Sequence, residues 1–134
     1  MVQVQLTAQL KVQGGPTLAV GATLQPESYT FASVVLSATG SAEAEQDVPL
    51  LPDAGAVVLL AVSAHLPDGT TTVVSVTPKN GASVGDTLAV DGTLVVAHAG
   101  VLAALVTDGP RLLTLGNDSA TPVTVDVLAA LAPE

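Results

Sequence analysis

The chain has 134 residues, a formal net charge of −9, and 49% hydrophobic but only 1% aromatic residues, so one domain spanning residues 1–134 must fill its core with Val, Leu and Ala. Three cations, Lys11, Lys79 and Arg111, against twelve carboxylates exclude a phosphate-neutralising nucleic-acid surface and an anionic membrane as partner. With no cysteine, disulfides, thiolate chemistry and cysteine-based zinc sites are excluded too.

The opening segment, MVQVQLTAQL, lacks the basic-then-apolar layout of a signal peptide. From Val2 to Gln13 apolar residues alternate with Gln, Thr and Lys without a break, which predicts a strand with one apolar and one wet face. Residues 1–13 therefore read as a possible strand-exchange arm, able to add to a neighbour's sheet edge because Lys11 is its sole blocking charge. Gly14-Gly15-Pro16 ends the run, and a second follows at Thr17 to Leu24.

Tyr29 to Ala38 predicts a third strand, in which Tyr29 and Phe31 share one face, with core packing as the default reading. Glu43, Glu45 and Asp47 lie in a small, acidic stretch read as a solvated loop, with a cation or a basic partner surface as the sharper alternative. Val48 to Leu51 reads as a short edge strand between Pro49 and Pro52. Ala56 to Val62, AVVLLAV, has the length and continuity of a strand covered on both faces.

Asp68-Gly69, Asn80-Gly81, Asp91-Gly92 and Asp108-Gly109 then punctuate the chain and favour tight hairpin turns. Between and after them run Thr70–Thr77, Thr87–Val90, Thr93–Ala97, Val101–Val106, Leu112–Leu115 and Thr121–Leu128. The five letters VLAAL occur at 101–105 and again at 127–131. Both copies are expected to be buried strands, with room for a helical turn at the C-terminus. The sum is all-β: an antiparallel β-sandwich, jelly-roll-like, of about ten short strands. The longest nearly apolar stretch, Leu94 to Val106, is too short for the roughly twenty residues that a membrane-crossing helix needs.

Candidate chemistry is sparse, and the expectation is that the chain is not an enzyme and needs no cofactor or metal. His65 precedes a turn and reads as a turn residue facing water, and His98, between alanines near Gly100, reads as a turn or interface residue. Asp86 and Asp91 flank a short run and could meet at a sheet edge, but they stand in Gly-Asp and Asp-Gly pairs, where turn chemistry is the simpler account. Neither Gly14-Gly15 nor Gly116-Asn117-Asp118 matches a phosphate-cradling loop.

The stretch RLLTLGNDSATPVTVDVLAALA, residues 111 to 132, has the form of a closing hairpin: a strand, a polar Asn-Asp-Ser turn, a Pro and an alternating Val-Thr-Val strand. Together with VVLLAVSA at 57–64, it resembles small β-sandwich virion proteins of tailed bacteriophages, of the capsid decoration (cement) type. That resemblance carries no residue-level motif, so it transfers no site residues. It implies a homo-oligomer, with a trimer favoured, that assembles in the host cytoplasm and sits in the virion on a major capsid protein lattice. A tail-associated virion protein, or an Ig-like or carbohydrate-binding module of a surface protein, is the alternative.

Overall fold

The computed structural model describes residues 3–26, 28–50 and 56–132. They form eleven strands and one short helix, and every strand pairing is antiparallel. The fold is all-β, as the alternating sequence requires.

The first two strands, β1 (Val4–Lys11) and β2 (Thr17–Leu24), pair among the described residues only with each other. Their ladder runs from Val4 opposite Leu24 to Lys11 opposite Thr17. Val12 N–H donates to the Pro16 carbonyl at 3.1 Å, and Gly14 takes a positive φ of 72° in the turn. The alternating N-terminal segment is thus one half of a hairpin arm covering residues 4–24. One edge of β1, expected to be free for a neighbour's sheet, is hydrogen-bonded within the chain, because the Gly14-Gly15 turn lets the segment fold back.

The remaining strands are β3 (Ser28–Leu36), β4 (Glu45–Pro49), β5 (Val57–His65), β6 (Val73–Asn80), β7 (Ser83–Val84), β8 (Leu88–Asp91), β9 (Thr93–Val96), β10 (Leu112–Gly116) and β11 (Val123–Leu131). One sheet has the order β3-β11-β5-β9, and the other β4-β10-β6, with β7 and β8 following each other along the far side of β6. Inward residues of both sheets meet in a single aliphatic core, with Leu36, Leu60, Val62 and Val125 from the first and Val48, Val76, Leu113 and Leu115 from the second. This sandwich-like packing turns one face of each long body strand toward the core, which is what a period of two encodes.

Between β3 and β11, every connection crosses from one sheet to the other except the turns along β6–β7–β8. Two expectations fall on this point. Of the four Asx-Gly pairs, Asn80-Gly81 joins two paired strands as a hairpin, and Asp68-Gly69 lies in a tight turn closed by the Leu66 N–H to Thr70 carbonyl bond and an antiparallel bridge between His65 and Thr71. Asp68-Gly69 and Asp91-Gly92 carry the chain between sheets, and Asp108-Gly109 follows the helix. Residues 111–132 are not a closing hairpin either. β10 has β4 and β6 on its two edges and β11 has β3 and β5, so neither has an edge left for the other.

A third correction concerns Val101–Val106. This segment belongs mainly to the helix α1 (Ala99–Leu105), while the second VLAAL, at 127–131, is strand. The His98 ring Nδ1 accepts a hydrogen bond from Val101 N–H at 3.2 Å and so caps the helix start. Within α1 only Leu102 is buried, and it joins the core. The edge strand expected at 48–51 begins earlier, at Glu45, and Leu51 lies outside the described residues.

Candidate interaction surface

Parity along the arm puts Val4, Leu6, Ala8 and Leu10 on one face of β1. Their partners across the ladder are Leu24, Ala22, Val20 and Leu18, so that face of the arm is apolar from root to tip. The opposite face holds Gln5, Thr7, Gln9 and Lys11 beside Thr23, Gly21, Ala19 and Thr17. The apolar face is uncovered over its outer half, with Leu10 61% and Leu18 58% exposed, while Val4, Leu6, Ala22 and Leu24 near the root are half-buried. Lone two-stranded ribbons are marginal in water, and this one carries a hydrophobic face with nothing over its outer half.

A second apolar surface lies on the outside of the β3 sheet. Thr30, Ala32, Val34 and Leu36 turn inward, which leaves Tyr29, Phe31 and Val35 pointing out. Tyr29 is 55% and Phe31 60% exposed, so both aromatics lie on the surface and the core-packing reading is corrected. Their odd-numbered parity is set by Leu36, which is fully buried at the end of the same strand. Register places Phe31 opposite Leu128, Leu128 opposite Ala61 and Ala61 opposite Val95. An apolar row therefore crosses all four strands of the sheet. The neighbouring row, Ser33, Asp126, Ser63 and Thr93, is polar.

The two surfaces approach each other at the arm's root. Gln3, Val4, Gln5, Tyr29 and Leu128 line one shallow groove of about 380 Å³. A second open groove of about 410 Å³ runs beside β6 and β8, with Thr72, Ser75, Thr87, Asp118 and Ser119 among its lining residues. Asp118 is its one carboxylate, and the charges needed to bind an ion tightly do not converge there.

The remaining candidates are dispersed. His65 ends β5, half-buried, with its backbone bridged to Thr71, and His98 is the exposed helix cap. Glu43 stands on a 3₁₀ turn (Ala42–Ala44), while Glu45 and Asp47 lie on β4, so the acidic stretch is turn and edge strand in place of the expected loop. All three are exposed, and Asp47 Oδ1 accepts a 2.7 Å hydrogen bond from the Thr114 hydroxyl of β10. Asp91 is the last residue of β8, and Asp86 lies in the connection that precedes the strand. Among the described residues no group of three or more His, Asp or Glu could hold a metal ion, and no helix is long and apolar enough to cross a membrane.

Asn117 was read only as part of a polar turn, yet it is almost fully buried, at 2% exposure. Its amide Nδ2 donates to the carbonyls of Ser37 (3.0 Å) and Thr121 (2.9 Å), and Oδ1 accepts from Ser119 N–H at 3.0 Å. Its own backbone N–H donates to the Ala44 carbonyl. The side chain thus pins the crossing between β10 and β11 to the end of β3. Its role is structural, and Asn followed by Asp-Ser was the one signal of it in the sequence. Set beside known proteins, the chain matches no family model, no curated protein and no solved structure, so the surfaces themselves are what bears on function.

Proposed function

We propose that the chain is a structural virion protein of the capsid decoration (cement) type, which binds a major capsid protein lattice and stabilises the head. The observation that carries this reading is the pair of exposed apolar surfaces on a rigid two-sheet body: the arm from Val4 to Leu24 and the outer face bearing Tyr29, Phe31 and Val35. Apolar area of this kind is what assembly interfaces use. The strand orders β3-β11-β5-β9 and β4-β10-β6-β8 supply a second support, since they follow the doubly wound pattern of jelly rolls, an architecture common among capsid proteins. Fold alone does not assign function, so the surfaces bear the weight.

Co-sedimentation with head shells assembled from the major capsid protein of the same genome tests the reading. Saturable binding, with a raised melting temperature of the heads, is the expected result. Shells that pellet without the chain at all concentrations would refute it.

A carbohydrate-binding module is the second reading, favoured by one observation. Tyr29 and Phe31 stand side by side on an exposed sheet face, where aromatic rings can stack on sugars. Glycan-array binding that is lost in Phe31→Ala would favour it over the virion role.

A further inference from the structure

We infer that the β1–β2 arm is an exchange element: its apolar face docks on the outer β3-β11-β5-β9 face of a second copy of this chain. This deepens the reading of the chain as an assembly protein by naming the surface through which copies join.

Three observations select a second copy as the occupant. The first is chemical match. The arm offers exposed Leu10, Leu18 and Val20, with Val4, Leu6 and Leu24 half-buried behind them. The sheet offers exposed Phe31 and Val95 on a row completed by half-buried Leu128 and Ala61, with exposed Tyr29 beside it. Because that row runs across the strands, an arm following it crosses them near a right angle, one of the two ways in which sheets pack.

The second is charge. All twelve carboxylates of the chain lie outside residues 1–26, and Lys11 is the only charged residue within them. Two acidic bodies repel each other, whereas a carboxylate-free arm with one cation can approach a neighbour's body without that penalty. Lys11 lies on the arm's polar face, so docking leaves it in water.

The third is area. Two eight-residue strands present a face of roughly 27 Å by 10 Å, about 270 Å². Arm packed on arm would cover about 540 Å² in total, well under the ~1,000 Å² expected of a specific interface. If two protomers each give an arm to the other and accept one in return, a single interface holds both contacts and covers about 1,080 Å². Exchange onto the sheet therefore suffices where arm-to-arm contact does not.

Sedimentation equilibrium and native mass spectrometry of the full chain test the inference with three variants. Leu10→Glu/Leu18→Glu charges the arm's apolar face at two exposed, directly opposed positions. Gln9→Glu/Ala19→Glu adds the same charge to another directly opposed pair on the polar face. Phe31→Glu alters the receiving sheet. The wild type is expected to be an oligomer that persists in Gln9→Glu/Ala19→Glu, while the other two variants weaken association by at least about a hundredfold. Circular dichroism and thermal melting of each dissociated variant should show an intact body, because the altered side chains are exposed in the protomer. A monomeric wild type, an oligomer indifferent to Leu10→Glu/Leu18→Glu or to Phe31→Glu, or equal dissociation by the polar-face control would each overturn it. Head binding is read separately, so a chain that oligomerises through the arm but ignores heads would refute the capsid role and leave this inference standing.

Discussion

Single residues carry more of this fold than their composition suggests, and Asn117 is the clearest case. Replacing it by Ala leaves the Ser37 carbonyl and the Ser119 N–H short of a partner at a part-buried site, while the Thr121 carbonyl keeps the Ser119 hydroxyl. An unsatisfied buried group costs about 1–3 kcal/mol and a partly buried one less, so Asn117→Ala is expected to cost about 1–3 kcal/mol in urea unfolding. Asn117→Asp should do no better, because a carboxylate cannot donate to two carbonyls. At the surface the stakes are smaller but the sign is clear. The Thr70 hydroxyl donates to Asp68 Oδ1 at 2.6 Å and the Thr70 N–H does so at 3.0 Å. The hydroxyl bond first, then the backbone bond, holds the Asp68 carboxyl below its ordinary value of 3.8. A depressed folded value means that the turn's contribution is complete above the unfolded value and disappears as pH falls through the folded one. Carboxyl carbon shifts followed by NMR should therefore place the Asp68 midpoint below 3.8, and Thr70→Val should move it upward. An unmoved midpoint would disprove the hydroxyl's role.

Among the elements, the two VLAAL segments show why local sequence could not decide between helix and strand. At 127–131 the segment lies between β3 and β5, and both edges find partners. At 101–105 it belongs to the connection from β9 in one sheet to β10 in the other, where no strand lies beside it, so intrinsic Ala and Leu propensity and the His98 cap prevail. Only tertiary context separates the two. Leu102→Ala should therefore cost about 2–5 kcal/mol as a core truncation, while Val101→Ala, on the exposed side, should stay within about 0.5 kcal/mol; chemical denaturation compares them directly. The break between β7 and β8 has a similar tertiary cause. A Cβ at Gly85 would overlap the Leu105 carbonyl oxygen and press on Pro78, so this glycine is what lets α1 lie against the strand. Gly85→Ala should cost roughly 1–3 kcal/mol or more through displacement of backbone, and an unchanged melting temperature would show that α1 moves freely.

Legibility followed the same line. Alternation gave β1, because a period of two records burial on one face, whereas β5 was legible as a continuous apolar run and most later strands as runs between turn signals. The Asx-Gly pairs located chain reversals but not their partners, since a reversal within a sheet and a crossing between sheets use the same turn chemistry. Tyr29 and Phe31 were placed on one face correctly, but inside or outside depends on which parity the sheet buries. Leu36 fixed that parity only once β3 had been seen beside β11. The apolar face of the arm was written in both runs, 4–12 and 18–24, but their register across Gly14-Gly15 was needed to see it as one surface.

For the whole molecule, the division into a body with paired central strands and an arm with a bare face predicts two levels of stability. β10 and β11 each have partners on both edges and contribute Leu113, Leu115, Val125 and Val127 to the core, so their amides should exchange only with global unfolding. The arm has one ladder and no cover over its outer half, so in an isolated protomer the amides there should exchange orders of magnitude faster. If arms dock on neighbouring copies, association protects them, and mass action makes that protection rise with protein concentration while β10 and β11 change little. Hydrogen exchange measured at two concentrations about a hundredfold apart reads both levels in one experiment. Protection of Leu6, Ala8 and Leu10 that grows with concentration is the expected pattern. Arm amides that exchange equally fast at both concentrations would leave the arm without a partner of its own kind. Arm amides equally slow at both would mean that the ribbon is held by its own chain, and the exposed leucines would then need another explanation.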